Sequence, residues 1–350
     1  MRTQGSVTRR ERLELVTTAL IPAALGMLGS LVSLGGRLAW LLPFLVLPVD
    51  LLVVRSWQQL RADGLPSAID RGCGEAAGRF LRGIYVLWGL WLLADTALDC
   101  TDRLLAAAQL PVGRWPLLAA ALLLTLWLGT STGRYVRTGR IFYLVTAVTL
   151  GAVGLLAVPS LRWENLLPPT AKPETMLWGG VEVLSLAGYG IYGMCLPALG
   201  KIRKPWGWVT AEAGALSAIL CVVVGAFGPA LAAGLNQPFI YILKGVGVPG
   251  AFQRGEAILA AVLAQADLVL LGLLAKGCRE LLTKQNWGSY AVIGAGALMA
   301  IILAAWEGGV LRSDKIRVCG GIILGVLVPA FLIWSGRDRC AGRDNTIYCE

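Results

Sequence analysis

Long apolar stretches recur along the whole chain and alternate with short polar segments. Seven stretches carry no Asp, Glu, Lys or Arg, and three more each carry a single carboxylate. A helix that crosses a bilayer needs roughly 20 mainly apolar residues, so the pattern predicts ten transmembrane helices, called spans 1 to 10. In chain order they are residues 15–36, 38–54, 83–98, 115–133, 141–161, 183–200, 213–243, 257–275, 285–306 and 318–336.

Two prolines divide the longest stretch, residues 213–243, which is too long for one crossing. Pro229 and Pro238 predict a helix followed by a shorter interfacial piece, because proline interrupts the helical hydrogen-bond ladder. Of the 350 residues 56% are hydrophobic and 15% are charged, and the mean hydropathy is +0.68. A soluble domain carries about 25% charged residues. We therefore expect one all-α, polytopic transmembrane domain over residues 1–350.

Basic residues fall unevenly on the two sides of the predicted bundle. When successive loops are assigned to alternate sides, 21 of the 31 Lys and Arg residues lie on the side that holds both termini. Cytoplasmic loops carry the excess of basic residues, so both termini are expected in the cytoplasm, with the lipid bilayer as the first partner. The net charge of +10 does not predict nucleic-acid binding, because the basic residues are spread through loops without interleaved aromatic residues.

Glycine clusters interrupt spans 1 and 6 in the sequences ALGMLGS (residues 24–30) and AGYGIYG (residues 187–193). Ten spans with both ends on one side divide into two sets of five, residues 13–161 and 176–336, of which the second runs inverted. Spans 1 and 6 then match, and matched breaks point to a midplane binding site in inverted-repeat transporters. Unwound backbone there offers N–H groups to a carboxylate and C=O groups to a cation. The alternative is that the glycines only permit close helix packing.

The predicted small-molecule site takes its residues from both interruptions. Tyr189 and Tyr192 offer rings and hydroxyls to an amphiphilic ligand, and Asp95 of span 3 faces an outer vestibule with Asp99 and Asp102. Core aromatic residues and a solvated acidic helix face are the alternatives for these side chains. The complete predicted set is Gly26, Met27, Gly29, Ser30, Asp95, Ala187, Gly188, Tyr189, Gly190 and Tyr192.

Two further carboxylates lie near predicted span ends. Glu182 is expected to cap the start of span 6, and Asp50 is expected to pair with Arg55 at the inner membrane surface. The chain has no histidine, and its eight cysteines form no C-x-x-C pair, so no metal site is predicted. Because neither a phosphate-binding loop nor a nucleophile elbow is present, we expect no cofactor and no enzymatic activity.

Three segments resemble elements of one membrane-protein family. They are RFLRGIYVLWGLWLLADTALDCTDRLLAAAQLP (residues 79–111), LRWENLLPPTAKP (residues 161–173) and the FQRGE entry into span 8 (residues 252–256). Through their joint order, over roughly residues 12–335, the chain resembles the spore germination permeases. These are the polytopic B subunits of nutrient germinant receptors, within the amino acid–polyamine–organocation transporter superfamily.

The resemblance implies a ten-helix, LeuT-like 5+5 inverted repeat with a pocket for a small nutrient such as an amino acid. It implies a location in the spore inner membrane or the bacterial cell membrane. It also implies two partners, a germinant-receptor A subunit and a lipoprotein C subunit.

Asp267 lies halfway along span 8, beside Gln265, near the position at which sodium-dependent members of this fold hold a coupling cation. These two residues are predicted to serve ion or proton coupling, or to receive the ammonium group of a ligand. The alternative is a neutral Asp267 hydrogen-bonded to a neighbouring helix. Three functions remain open: a germinant-sensing receptor subunit, a proton- or cation-coupled amino-acid permease, and a structural subunit of a membrane receptor complex.

Overall fold

The computed structural model describes residues 9–60, 64–108, 112–129, 132–167, 172–195, 205–235, 237–245, 255–282, 289–305 and 314–341. Within these ranges the chain is helical apart from short turns and contains no β-strand. The α-helices are α1 (Arg9–Gly26), α2 (Leu28–Gly35), α3 (Leu42–Leu60), α4 (Gly64–Cys73), α5 (Glu75–Ala108), α6 (Arg114–Gly129), α7 (Thr132–Ala157), α8 (Trp163–Leu166), α9 (Pro173–Leu184), α10 (Ala187–Gly190), α11 (Pro205–Phe227), α12 (Pro229–Gly234), α13 (Pro238–Gly245), α14 (Gly255–Leu282), α15 (Ser289–Ala305), α16 (Asp314–Ile322) and α17 (Val328–Ala341). Short 3₁₀ helices cover Gly36–Leu41, Val158–Ser160 and Ile191–Cys195, and a π-helical turn covers Ile323–Leu327.

Many of these helices are apolar enough to lie in a membrane. Within the described residues, six stretches are also long enough to cross it: Leu28–Leu60, Glu75–Ala106, Gly133–Ser160, Pro205–Phe227, Gly255–Leu282 and Asp314–Ser335. Shorter apolar helices cover Leu13–Gly26, Arg114–Gly129 and Ala291–Ala305. The prediction of an all-α, multi-pass membrane protein is confirmed. The count of ten crossings, their orientation and the inverted repeat stay predictions.

Helices extend beyond the uncharged stretches wherever charged residues lie on them. α5 runs from Glu75 to Ala108, whereas the apolar stretch, which contains only the charged residue Asp95, predicts residues 83–98. α9 begins at Pro173, well before residue 183, because proline suits the first turn of a helix, where its missing N–H leaves no bond unmade. The sequence analysis does not predict α4, whose buried residues are Leu65, Ala68, Ile69 and Gly72.

The long stretch 213–243 contains a spanning helix, as predicted, but two short helices follow it where one shorter piece was expected. α11 ends one residue before Gly228, whose φ of 75° is a left-handed conformation that glycine adopts without strain. Proline then begins both α12 and α13. Near the end of α11 the carbonyl of Gly225 accepts a hydrogen bond of 2.8 Å from Asn165 Nδ2, which satisfies one of the orphan groups of the helix terminus.

α14 lies at the centre of the bundle and packs against α1, α5, α6, α7 and α15. In the most apolar parts of α5 and α14, 67% of the residues are buried, against 17% in the stretch that contains α7. We infer that α5 and α14 form the interior and that α7 presents one face to lipid. Where α7 meets α14, the Tyr135 ring packs on Gly272, and its hydroxyl donates to Val269 O at 2.6 Å.

Spans 1 and 6 are interrupted, as predicted. α1 gives way to α2 at Met27, whose N–H donates to Ala24 O at 3.3 Å and whose carbonyl accepts from Leu31 N at 2.9 Å. In span 6, α9 is followed by a two-residue turn, by α10 and by the 3₁₀ helix Ile191–Cys195. Residues 196–204, which include the predicted end of span 6, lie outside the described residues.

Span 10 has an irregularity that the sequence does not predict, the π-helical turn between α16 and α17. A π turn disturbs the regular hydrogen bonding of the backbone carbonyls. Two carbonyls of this turn accept hydrogen bonds from side chains of α3 and α5. Tyr85 Oη donates to Leu324 O at 2.7 Å, and Trp57 Nε1 donates to Gly325 O at 2.9 Å. Both bonds are buried, where an unpaired carbonyl would be costly because no water is at hand.

Candidate ligand site at the interrupted helices

The backbone of the span 6 interruption keeps its hydrogen bonds within the segment. The donor and acceptor pairs are Ser185 N and Glu182 O (3.1 Å), Leu186 N and Val183 O (3.1 Å), Gly188 N and Ser185 O (2.9 Å), and Tyr189 N and Leu186 O (3.0 Å). Bonds to the third preceding residue are typical of a tightened 3₁₀-type turn, not of an unwound chain. The expectation that unwound backbone offers free N–H groups to a carboxylate is therefore wrong for these donors.

Glycines of both interruptions serve close packing. A Cβ added at Gly188 would lie 2.5 Å from Gly321 Cα in α16, and one at Gly190 would lie 2.8 Å from an indole ring. In span 1, a Cβ at Gly29 would lie 2.6 Å from a backbone carbonyl oxygen, whereas Gly26 has no atom within 4 Å of that position. Distances below 3 Å leave no room for a side chain, so the packing alternative accounts for Gly29, Gly188 and Gly190.

Tyr192 and Met27, two residues of the predicted site, are fully buried. The Tyr192 ring packs against Gly89 of α5 and Gly277 of α14, and its hydroxyl donates to Tyr85 O at 2.5 Å. Met27 belongs to the apolar core beside the interruption of span 1. In this structure the Tyr192 hydroxyl fastens span 6 to α5.

Glu182 connects the two interrupted helices. Ser30 Oγ in α2 donates a hydrogen bond of 2.8 Å to Glu182 Oε2. The expectation of a cap at the start of span 6 is wrong, because the helix begins at Pro173 and Glu182 lies near its C-terminal end. Glu182 is 3% exposed, and its Oε1 has no hydrogen-bond partner within the described chain. A buried carboxyl oxygen without a donor is costly, so Glu182 is a candidate site residue, whereas the sequence pattern predicts it only as a cap.

Arg317 of α16 lies beside the same interruption. It forms an ion pair with Asp314 and lies within electrostatic range of the Tyr189 hydroxyl and of Asp95 and Asp99. The structure thus brings the predicted residues Tyr189 and Asp95 together around an arginine that the sequence analysis missed. Arg317 directly precedes the uncharged stretch of span 10, residues 318–336, and the hydropathy pattern therefore predicts it in a loop.

Asp267 is paired with a buried arginine. Arg103 Nη1 lies 2.6 Å from Asp267 Oδ2, and the two side chains are 3% and 1% exposed. Arg103 Nε also donates to Gln237 Oε1 at 2.9 Å, and Cys100 lies beside the carboxylate. Gln265, on the same helix as Asp267, is half-buried. The guanidinium of Arg103 therefore occupies the Oδ2 side of this carboxylate, whereas Oδ1 has no hydrogen-bond partner among the described residues. Ion coupling at this residue stays a prediction.

A cavity of about 780 Å³ lies between α1 and α7 on one side and α3 and α11 on the other. Its wall includes Leu25 near the end of α1 and three residues of the span 6 interruption, Leu186, Ala187 and Gly190. Most of the other residues that line it are apolar. Small-molecule sites have volumes of roughly 300–1,000 Å³ and mainly apolar walls, so this cavity, which we call the interruption cavity, has the size and character of a ligand site.

Two carboxyl groups reach the interruption cavity, Asp50 from α3 and Glu212 from α11. Thr17 Oγ1 in α1 donates to Glu212 Oε1 at 2.9 Å and accepts from Trp208 Nε1 at 2.8 Å, which ties α1 to α11. Asp50 forms no ion pair or hydrogen bond within the described residues. The expected pair with Arg55 is therefore wrong, because Asp50 lines the cavity whereas Arg55 lies on the exposed side of α3.

No protein-family model and no curated protein matches the chain. Among solved structures, it is similar to the Eremococcus coleocola manganese transporter in complex with an aromatic bis-isothiourea-substituted compound, with 13% identity and a TM-score of 0.44, covering 93% of this chain and 77% of that one. A histidine-to-alanine mutant of that transporter is also similar, with 13% identity and a TM-score of 0.45, covering 96% of this chain and 79% of that one. Likeness at this level assigns neither a family nor a function.

Residues 252–254 of the FQRGE segment lie outside the described residues. The described residues establish an all-helical, multi-pass membrane protein in which interrupted helices border a cavity.

Proposed function

We propose that the protein is the ligand-sensing membrane subunit of a nutrient germinant receptor and that it binds a small nutrient in the interruption cavity. One observation carries the proposal: Leu25, Leu186, Ala187 and Gly190 in the cavity wall come from the two interrupted helices. A ligand in this cavity touches the irregular segments of the fold as well as the regular helices. The resemblance to the spore germination permeases supports sensing as the role and the spore inner membrane as the location.

The contacts of the interruption link a bound ligand to other spans. The Ser30–Glu182 hydrogen bond joins span 6 to α2, and Gly188 packs directly on Gly321 of span 10. A ligand shifts a conformational equilibrium only when it binds the two conformers with different affinities. A movement of residues 186–190 changes the cavity wall and the contact between Gly188 and Gly321, so under this proposal ligand occupancy and helix arrangement are coupled.

A cation-coupled permease is the second candidate, and the ion pair at Asp267 argues against it. A coupling cation must bind and leave in each cycle, whereas the Arg103 guanidinium is part of the chain and is buried against that carboxylate. A sensing subunit needs no exchangeable cation. Its partners under this proposal are the A subunit and the lipoprotein C subunit, and purification of the tagged protein from spores would recover both.

A cavity-filling variant tests the proposed site. Gly154 of α7 lines the cavity and has no atom within 4 Å of the position that a Cβ would take, so Gly154→Trp places an indole ring there without an immediate clash. Gly133→Trp is the matched control, since Gly133 lies on the same helix, has equally open surroundings and is not among the cavity-lining residues.

The assay is a thermal-shift screen of purified protein in nanodiscs against amino acids, small amines, nucleosides and sugars. We expect at least one compound that raises the Tm of the wild type and of Gly133→Trp but not that of Gly154→Trp. The proposal is refuted if no compound stabilises the wild type, or if Gly154→Trp responds like the control. Accumulation of the same labelled compound in proteoliposomes, driven by an ion gradient, would favour the permease.

A further inference from the structure

The charged groups of the interruption cavity are all of one sign. Among the described residues that line it, Asp50 and Glu212 are the only carboxylic acids, and none is Lys or Arg. The two carboxyls are half-buried and lie within electrostatic range of each other. Carboxylates that face an apolar space without a counter-charge are costly, so a ligand that supplies one positive charge offsets that cost.

The cavity wall offers a ligand both carboxyl groups and hydrocarbon. Glu212 uses one oxygen to accept from Thr17, and Asp50 has no partner within the described chain. The following helical turns of α1 and α11 contribute hydrocarbon side chains to the wall, from Leu20, Ile21, Ala24, Leu216, Ile219 and Val222. A ligand with a cationic head and a hydrocarbon body matches this division.

A carboxylate on the ligand finds little to bind in the same space. No basic side chain among the described residues lines the cavity. The N–H groups of Leu186 and Gly190, which are the polar backbone donors of two wall residues, already donate to Val183 O and Leu186 O. A zwitterion would therefore find no basic side chain for its carboxylate among the described lining residues, in a cavity that already holds two acidic side chains.

We propose that the interruption cavity binds a small hydrophobic amine as its ammonium ion. The ammonium group lies between Asp50 and Glu212, and the hydrocarbon part packs against α1 and α11. This inference rests on the proposed function, because it names the ligand class of the same cavity.

Four probes with similar branched hydrocarbon chains separate charge from hydrophobicity. 3-Methylbutylamine carries an ammonium group, leucine carries an ammonium and a carboxylate, 4-methylpentanoate carries a carboxylate, and 3-methylbutan-1-ol is neutral. Calorimetric titration of the protein in nanodiscs measures each Kd. We expect the amine to bind at least about tenfold more tightly than the other three, because charge-assisted hydrogen bonds are about twice as strong as neutral ones.

Two neutralising variants locate the ammonium contact. Asp50→Asn and Glu212→Gln keep the shapes of the side chains, and each is expected to weaken amine binding by about tenfold or more while leaving the affinity for the alcohol unchanged. The control is Glu164→Gln, because Glu164 lies on α8, is exposed and is not among the cavity-lining residues. It should bind the amine like the wild type.

Each contrary result has a distinct meaning. If leucine binds at least as tightly as the amine and Gly154→Trp abolishes that binding, the amine inference fails while the proposed function stands. If the alcohol binds as tightly as the amine, or if both neutralising variants keep wild-type affinity, the cavity does not select a cation and the inference is overturned. If no probe binds the wild type, the inference fails, and the wider nutrient screen with Gly154→Trp decides the proposed function separately.

Discussion

The buried ion pair between Arg103 and Asp267 offers the sharpest test of how this bundle is held together. It joins α5 to α14, the two most buried long helices, with 2.6 Å between Nη1 and Oδ2. Arg103 Nε also donates to Gln237 just before α13. The pair therefore fastens three segments that are far apart in sequence, and neither side chain reaches solvent to any useful extent.

Removing one member of the pair should be much worse than removing both. Arg103→Met leaves an uncompensated carboxylate in the interior, and breaking a buried pair in this way costs about 3–5 kcal/mol of unfolding free energy. Asp267→Leu leaves an uncompensated guanidinium and should cost a similar amount. The double variant replaces both charges with apolar groups, and such a replacement is often neutral or stabilising. It also loses the hydrogen bond from Arg103 to Gln237, which contributes about 1.5–3 kcal/mol.

The assay is a double-mutant cycle on purified protein, with unfolding followed by far-UV circular dichroism during denaturant titration in mixed micelles. The control is the exposed pair Arg140 and Glu11, with 3.3 Å between the atoms and side chains 57% and 23% exposed, for which the coupling should be about 0–1 kcal/mol. A coupling for Arg103 and Asp267 no larger than that of the control would refute the reasoning, since it would mean that neither charge is desolvated in the folded protein.

Three further substitutions test the packing of the interrupted helices, each by the unfolding free energy measured in the same way. Gly188→Ala should lower the unfolding free energy by about 1–3 kcal/mol, because the new Cβ meets backbone in α16. Gly26→Ala, in open surroundings, is the control and should be neutral or slightly stabilising. Equal losses for the two variants would contradict the packing interpretation. Trp57→Phe should cost about 1–3 kcal/mol, because it removes the donor to a buried carbonyl of the π turn, and an unchanged value would show that the carbonyl finds another donor. Ser30→Ala should cost a similar amount by leaving Glu182 without its donor, and the double variant Ser30→Ala/Glu182→Leu should recover part of that loss if the hydrogen bond is its cause.

Hydropathy predicted the helices well because the bilayer requirement is local: an apolar stretch of sufficient length must be helical. It failed at boundaries, because an uncharged stretch ends at the first charged residue whereas a helix does not. α9 carries both Glu174 and Glu182, so its first ten residues fell outside the predicted span 6. The amphipathic α4 lacks a long apolar stretch altogether, and nothing in a membrane-span search identifies such a helix.

Two causes kept charged residues out of the predicted site. Helix boundaries were placed too early or too late, and residues that pair in the structure are far apart in the sequence. Asp267 was identifiable as a carboxylate inside an apolar stretch, but its partner Arg103 lies 164 residues away, on a part of α5 that was assigned to a loop. Arg317 and Glu182 were excluded for the same reason, since each immediately flanks an uncharged stretch. Which charges pair in a folded bundle depends on helix rotation, and the sequence of one helix does not contain that information.

Close contact with span 10 explains why span 6 has glycines at its interruption. Gly188 lies against Gly321, and a Cβ at Gly325 would lie 2.5 Å from the backbone of residues 187 and 188, so two irregular helices cross with their main chains in contact. The π turn of span 10 is held by Trp57 and by a tyrosine of α5, and Trp57 also packs on Gly190 and lines the cavity. A ligand that pushes on Trp57 therefore acts on spans 6 and 10 together. Under the proposed function, this shared contact, rather than an unwound backbone, links the cavity to span 10.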